Sequence, residues 1–249
     1  LVSADYSQIE LRVAAFLSGD EKLIEIFKSG RDIHTEVAAQ IFKVPLPKVD
    51  KEMRRRAKVI NFGILYGMGV NALRQNLGTD KAEAQQFYDN YFATFSGLAS
   101  YLERVKQEVK ETGFTETYFG RRRYFPDIKS KLPFMRAFAE RMAVNAPIQG
   151  TQADIVKIAM RKVDEYFRNE KLEQDVSLLL QVHDELVYEV RENLVSVVAP
   201  KIKEIMENII DAKNIHGIIC AANVAIGKNW GEVEGWVPST ARPERDGAR

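Results

Sequence analysis

Asp5 stands at the end of a short apolar run, and Asp184 stands with His183 and Glu185 between two apolar, β-branched runs at residues 176–182 and 186–190. A carboxylate at a strand end is available to a hard cation such as Mg2+, which takes oxygen ligands in near-octahedral geometry. Tight hairpin turns favour Asn-Gly or Asp-Gly, so the adjacent acids Asp184 and Glu185 carry a repulsion that a bound cation relieves. Taken singly, Asp5 reads as a helix-capping or turn aspartate and residues 183–185 as a solvated polar turn. Joined in one sheet, the two aspartates could hold a pair of metal ions about 3.5–4 Å apart, which stabilises both the attacking and leaving oxygens of phosphoryl transfer.

A second constellation is Arg54, Lys58, Phe62 and Tyr66. Residues four apart share a helix stripe and each step rises about 6 Å, so two cations and then two aromatics follow one another along a line. That order matches a nucleoside triphosphate: cations for the phosphates, flat rings for sugar and base. The competing description is a solvated basic helix end followed by core aromatics. Gly63, Gly67 and Gly69 weigh against it, since glycines at a helix end favour close approach by a ligand.

These side chains need elements to position them. Leu1 to Ala4 reads as a strand and Gln8 to Leu17 as a helix, with Ser7 available as its cap. Helices are predicted near 20–28, 32–42, 50–62, 70–77, 80–93 and 97–112, punctuated by glycine and proline. Residues 114–124 look β-like, helices at about 131–145 and 149–169 flank Pro147, and residues 176–190 read as a hairpin. A helix near 193–212 and a strand near 219–226 precede a Pro-, Gly- and Arg-rich segment from Gly235 to Arg249 that reads as disordered. Strands at both ends of the chain and helices between them predict an α+β fold, with one antiparallel sheet formed from distant segments and a mostly helical subdomain inserted.

The 249 residues, 45% hydrophobic, suffice for one large or two modest cores. With 36 Lys and Arg against 35 Asp and Glu, net charge does not indicate nucleic acid, so that partner must be argued from local clusters. The single cysteine, Cys220, excludes an internal disulfide framework or a cysteine-based zinc site, and suits the cytoplasm. No apolar run approaches the roughly 18 residues of a membrane span. The chain opens inside an apolar run rather than on Met, as a fragment would.

The segment Asp5-Tyr6-Ser7-Gln8-Ile9-Glu10-Leu11-Arg12 resembles motif A of the family A DNA polymerases, and Val182-His183-Asp184-Glu185 resembles their motif C. Between them, the run from Arg54 to Gly67 resembles motif B, and the likeness extends through Thr117 to Asp127, Arg141 to Asp154 and Gly227 to Trp230. The resemblance implies a palm at residues 1–20 and 130–236, fingers at 21–129 and a disordered tail at 237–249. It implies a monomer that takes primer-template DNA and a dNTP, with no membrane partner. Two Mg2+ ions would be held by Asp5, Asp184 and the Tyr6 carbonyl, supported by Glu185, with Lys58 a proton donor to the leaving pyrophosphate. Glu10 matches the steric gate against ribonucleotides. Arg54, Lys58, His34, Phe62, Tyr66, Gln8 and Ile9 match the rest of the dNTP site. Arg141, Asn145, Gln149 and His183 match residues that touch template and primer, and Arg122, within the triplet 121–123, would lie on a phosphate track. The thumb and any nuclease domain of the family have no counterpart in the sequence.

Three other readings compete. A single-subunit RNA polymerase shares the two-aspartate palm and is distinguished by Glu10. A nucleic-acid-binding module would keep the fold without activity. A two-metal nuclease or phosphatase has no use for the cation–aromatic stripe.

Overall fold

The computed structural model describes residues 1–236, so the tail expected at 237–249 lies outside the described residues. Contacts divide the chain into two units, each assembled from separated segments. One contains Leu1–Ile9, Ile155–Asp211 and the described residues from Cys220 onward; the other contains Glu10–Asp154 and Ala212–Ile219.

The first unit is built on a five-stranded antiparallel sheet in the order β4-β5-β1-β6-β7. The strands are β1 (Val2–Tyr6), β4 (Val176–Val182), β5 (Glu185–Val190), β6 (Ala222–Ile226) and β7 (Glu234–Gly235). β1 lies centrally, pairing with β5 on one side and β6 on the other. Its alternation sends Val2, Ala4 and Tyr6 into the core, while Ser3 and Asp5 face the other way. The core includes Val2, Ala4, Tyr6, Leu186 and Tyr188 together with Val198, Ile202 and Met206 of helix α9 (Val195–Glu207). The Tyr6 hydroxyl donates to the Met206 carbonyl at 2.8 Å, satisfying an acceptor in the last turn of α9 that has no partner within its own helix.

The second unit is helical: α1 (Ile9–Ser18, from its second residue), α2 (Glu21–Lys28), α3 (Ile33–Phe42), α4 (Lys51–Leu65), α5 (Val70–Leu77), α6 (Lys81–Thr94) and α7 (Ser96–Thr112). The short hairpin β2 (Phe114–Glu116) and β3 (Arg122–Tyr124) follows, then α8 (Pro133–Asn169), whose residues up to Asp154 belong here. Aspartates open four of these helices: Asp20, Asp32, Asp50 and Asp80 each accept a backbone N–H three residues on. Among the described residues no helix is long and apolar enough to cross a membrane.

Several boundaries depart from expectation. Helices at 131–145 and 149–169 are one helix, α8, with Pro147 inside it. Proline in a helix interior removes one backbone hydrogen bond at a cost of about 3 kcal/mol, and the burial of Ala143, Ala146, Ile148 and Ile155 along the same helix offsets that loss. Glu185, expected in the turn, pairs with Val182 as the first residue of β5, leaving a two-residue turn. Helix α9 stops at Glu207, short of 212, and β6 begins at Ala222 rather than 219. Gly235, placed with the disordered end, pairs with Ala225.

Candidate active site

The register of the sheet decides which acids meet. Asp5 pairs with Glu185 of β5 on one side and Asn223 of β6 on the other, so the three side chains stand in a row on one face. Asp184 joins them through the hairpin turn, its carbonyl accepting from the Tyr6 N–H at 3.3 Å. His183, exposed at the first turn position, adopts φ 54°, a left-handed conformation that non-glycine residues seldom take. The Gln8 backbone, just before α1, has φ 54° as well, and both strained residues flank the carboxylates in sequence.

Burial, and then the charges of Asp184 and Glu185, push the Asp5 carboxyl up to about 6. Asp184 is also raised, by burial first and by Glu185. Glu185 is held in place: its Oε1 accepts from Ser3 Oγ at 2.5 Å and from the Trp230 indole N–H at 2.9 Å. Among the described residues no group of three or more His, Cys, Asp or Glu side chains is arranged to hold a metal ion. Two aspartates and the Tyr6 carbonyl nevertheless make an all-oxygen donor set suited to a hard cation, and the repulsion that raises Asp5 is the kind a cation removes. Backbone, substrate and water oxygens would complete such a shell.

The α4 stripe forms as its spacing required. Arg54 and Lys58 are exposed, Phe62 is half-buried, and Tyr66, which caps the helix, is 44% exposed, so the aromatics are not a core stripe. The Phe62 and Tyr66 rings lie stacked, 6.4 Å apart with 20° between their planes. The Tyr66 hydroxyl donates to Glu10 Oε2 at 2.8 Å, joining the end of the stripe to the first turn of α1. Arg54 grips Asp32, the cap of α3, through Nε and Nη2, both at 2.9 Å. Asp32 also accepts from the Thr35 N–H and hydroxyl. Burial would raise the Asp32 carboxyl, but Arg54 and Thr35 outweigh it and hold it down at about 2. Arg55 and Arg56 are paired with Glu52, and Arg56 also with Glu83.

Two expected nucleotide contacts are not presented to solvent. His34 is 1% exposed, its Nδ1 sits 3.0 Å from the Asn61 amide nitrogen, and its buried Nε2 has no partner. Burial foremost lowers its pKa to about 4, so the ring is neutral at physiological pH. Ile9 is 1% exposed and packs into the core, which leaves its backbone as its route to a ligand. Gln8 is half-buried, with its side-chain oxygen unpartnered.

On α8, Arg141 and Gln149 are exposed, and Asn145 between them is buried with an unpartnered Oδ1. The basic triplet is already engaged within the chain. Arg121 pairs with Asp154 and the Gly150 carbonyl, Arg122 pairs with Glu116 and covers the Phe114 ring, and Arg123 covers Phe125. The phosphate track expected at Arg122 would therefore compete with Glu116.

Ser3, Asn223, Trp230, Asp32 and Asn61 were not among the residues that sequence reasoning singled out. Asp32 caps α3, but its grip on Arg54, like the convergence of Ser3 and Trp230 on Glu185, joins residues that only the fold brings together.

The sequence profile of DNA polymerase family A matches residues 1–232. The chain belongs to that family. This family A chain is 45% identical over 232 residues to DNA polymerase I of Pseudomonas aeruginosa, covering 93% of the present sequence and 25% of that protein. It is 47% identical over 230 residues to the thermostable DNA polymerase I of Thermus aquaticus, covering 92% and 27% respectively. The chain thus spans about a quarter of the length of these relatives. Among solved structures, the POL domain of Pol1 from M. smegmatis, in complex with DNA primer-template and dNTP, superimposes with a TM-score of 0.87 at 40% identity. That match covers 92% of this family A chain and 39% of the other.

Proposed function

We propose that this chain carries the nucleotidyl-transfer centre of a template-directed DNA polymerase, which joins a deoxynucleotide from dNTP to a primer 3′ hydroxyl and releases pyrophosphate. The observation that carries this reading is the sheet register, which sets Asp5 beside Glu185 and ties Tyr6 to Asp184. Asp5, Asp184 and the Tyr6 carbonyl would hold two Mg2+ ions, with Glu185 fixed beside them by Ser3 and Trp230. When bound, such ions lower the pKa of an attacking hydroxyl and neutralise charge on the triphosphate.

Most of the remaining roles belong to side chains of α1, α3, α4 and α8. Arg54 and Lys58 bind phosphates, and Lys58 donates a proton to pyrophosphate. Phe62 and Tyr66 present flat faces to the sugar and the templating base. Glu10, which accepts from the Tyr66 hydroxyl, would exclude a 2′ hydroxyl. Gln8 and the Ile9 backbone complete the nucleotide site, and His34 acts as a neutral ring behind Phe62, 5.8 Å from it. Arg141, Asn145, Gln149 and His183 contact primer and template, with Arg122 at the margin. Palm at 1–20 and 130–236, fingers at 21–129, a monomeric state and a cytoplasmic setting belong to the same reading. The relative solved with primer-template and dNTP supports these partners.

Primer extension in Mg2+ tests the proposal by comparing the wild-type chain with Asp184→Ala. The expected result is template-dependent extension that the substitution lowers on the order of a thousandfold, since metal stabilisation of the transition state amounts to several kcal/mol. Equal extension by both proteins would remove Asp184 from the chemistry.

A further inference from the structure

Five residues of α8 fall on one stripe: Phe134, Phe138, Arg141, Asn145 and Gln149. At about 100° per residue they span an arc of about 80°. The opposite side of the helix is its core face, where Ala139, Ala143 and Ala146 pack with Val109, Phe125 and Ile128. The stripe's first three residues, Phe134, Phe138 and Arg141, are exposed and face away from that core, yet two of them are aromatic rings that are 70% and 58% exposed. A helix face turned from the core ordinarily carries polar side chains, and two phenylalanines a turn apart are apolar surface that the described residues leave largely uncovered.

The surroundings define what would cover these rings. The Arg141 guanidinium lies 5.8 Å from the Phe138 ring centre, placing a cation directly behind the aromatic pair. Lys129 and Lys131 are exposed in the segment leading into α8. Arg141 also packs against Gly67, where φ is +71° and an added Cβ would come within 3.3 Å of the Arg141 Cβ. Only a glycine allows that approach without strain, and it brings the stripe next to Tyr66, the last ring of the α4 stripe. Further along, the buried Asn145 keeps an unpartnered Oδ1, an acceptor still in need of a donor. Exposed rings interleaved with cations, leading to the unsatisfied Asn145 amide oxygen, fit a chain of bases on a phosphate backbone. A protein or lipid surface offers no regular series of π-faces joined by anions.

We propose that Phe134 and Phe138 form a stacking platform for unpaired DNA, which extends the Arg141–Asn145–Gln149 face and receives the single-stranded template before it reaches Tyr66. This rests on the polymerase reading for the identity of the strand. The binding chemistry itself, base against ring and phosphate against Arg141, stands on the stripe. Because the stripe reads no base edges, the platform accepts any sequence.

The test uses the 249-residue chain, a fluorescein-labelled oligo-dT and a blunt hairpin duplex, followed by anisotropy. Phe134→Ala and Phe138→Ala should each weaken oligo-dT binding about tenfold, while blunt-duplex binding changes less than about twofold, because a fully paired duplex has no unstacked base to offer. Phe134→Tyr and Phe138→Tyr keep a π-face and should restore oligo-dT affinity. Failure of the wild-type chain to bind oligo-dT, unchanged binding by both alanine variants, or equal losses on oligo-dT and duplex would each overturn the proposal. So would self-association in sedimentation velocity that either alanine abolishes, because the rings would then cover a second copy. Primer extension run beside these assays separates the two claims. Extension with unaltered oligo-dT binding by the alanine variants sinks the platform alone, whereas ring-dependent oligo-dT binding without template-dependent extension sinks the polymerase reading alone.

Discussion

Asp32 carries several loads at once, capping α3, accepting from the Thr35 hydroxyl and gripping Arg54 through two N–H groups. A guanidinium has five N–H donors, so three remain for phosphate while Asp32 fixes the rotamer. Asp32→Asn keeps a capping acceptor but loses the charge-assisted fork. It should raise the KM for dNTP about tenfold with little change in kcat, and the effect should vanish when Arg54 is already alanine. Equal effects in both backgrounds, measured by steady-state primer extension, would leave Asp32 as a helix cap and nothing more. Asp5 makes a second residue-scale prediction. Its folded pKa of about 6 lies above its ordinary value of 3.8, so the stability it contributes is complete below about pH 4 and is lost as pH rises through 6. Without metal, Asp184→Asn should therefore melt higher than wild type at pH 7, with the gap narrowing toward pH 4 and reversing when Mg2+ is added at pH 7. Calorimetric melts across that range check it. A gap that does not depend on pH would mean that the two carboxylates do not repel.

At the scale of elements, β1 does two jobs with its two faces. Asp5 serves the site, while Tyr6, one residue on, is buried and anchors the end of α9 through the Met206 carbonyl. The proposed metal ligand at Tyr6 is its backbone carbonyl, so the side chain should be separable from the chemistry. Tyr6→Phe leaves a buried acceptor unpaired and should cost about 1–3 kcal/mol, a fall of several degrees in melting temperature, with primer extension preserved below that temperature. Loss of extension without loss of stability would give the hydroxyl a role in the site. Lys203 and Glu207, which hold the Ala222 carbonyl and N–H, reinforce the same contact between α9 and the sheet. The departures at this scale have a common cause. Proline at 147 and the acid at 185 are local signals for interruption, and in both places burial or cross-strand pairing outweighed them.

At the scale of the whole molecule, 36 basic residues almost cancel 35 acidic ones, so any affinity for DNA must come from local placement of charge. Much of that charge is engaged within the chain: Arg54, Arg55, Arg56, Arg121 and Arg122 all sit in ion pairs. Phosphates would bind to the remaining cations and in exchange for some of these carboxylates, and each phosphate neutralised releases counterions. Binding of primer-template should therefore weaken at least about tenfold between 50 and 200 mM salt, the range over which a few phosphate contacts are felt. An anisotropy titration with a flat salt dependence would show that phosphate contacts contribute nothing.

The sequence by itself determined the run of helices, the short first strand, the acidic hairpin and the spacing of the α4 stripe, because each follows from interactions within a few residues. The three ordered motifs were also sufficient to recognise the family. Tertiary structure alone decided which side chains share a face. Asp5 meets Glu185 and Asn223 through strand pairs separated by most of the chain, and Trp230 reaches Glu185 across the same sheet. It also decided that His34 and Ile9 turn inward, that Arg54 is held by Asp32, and that two phenylalanines of α8 remain in water. Burial and long-range register depend on what the rest of the chain brings alongside, and no local pattern of residue types carries that information.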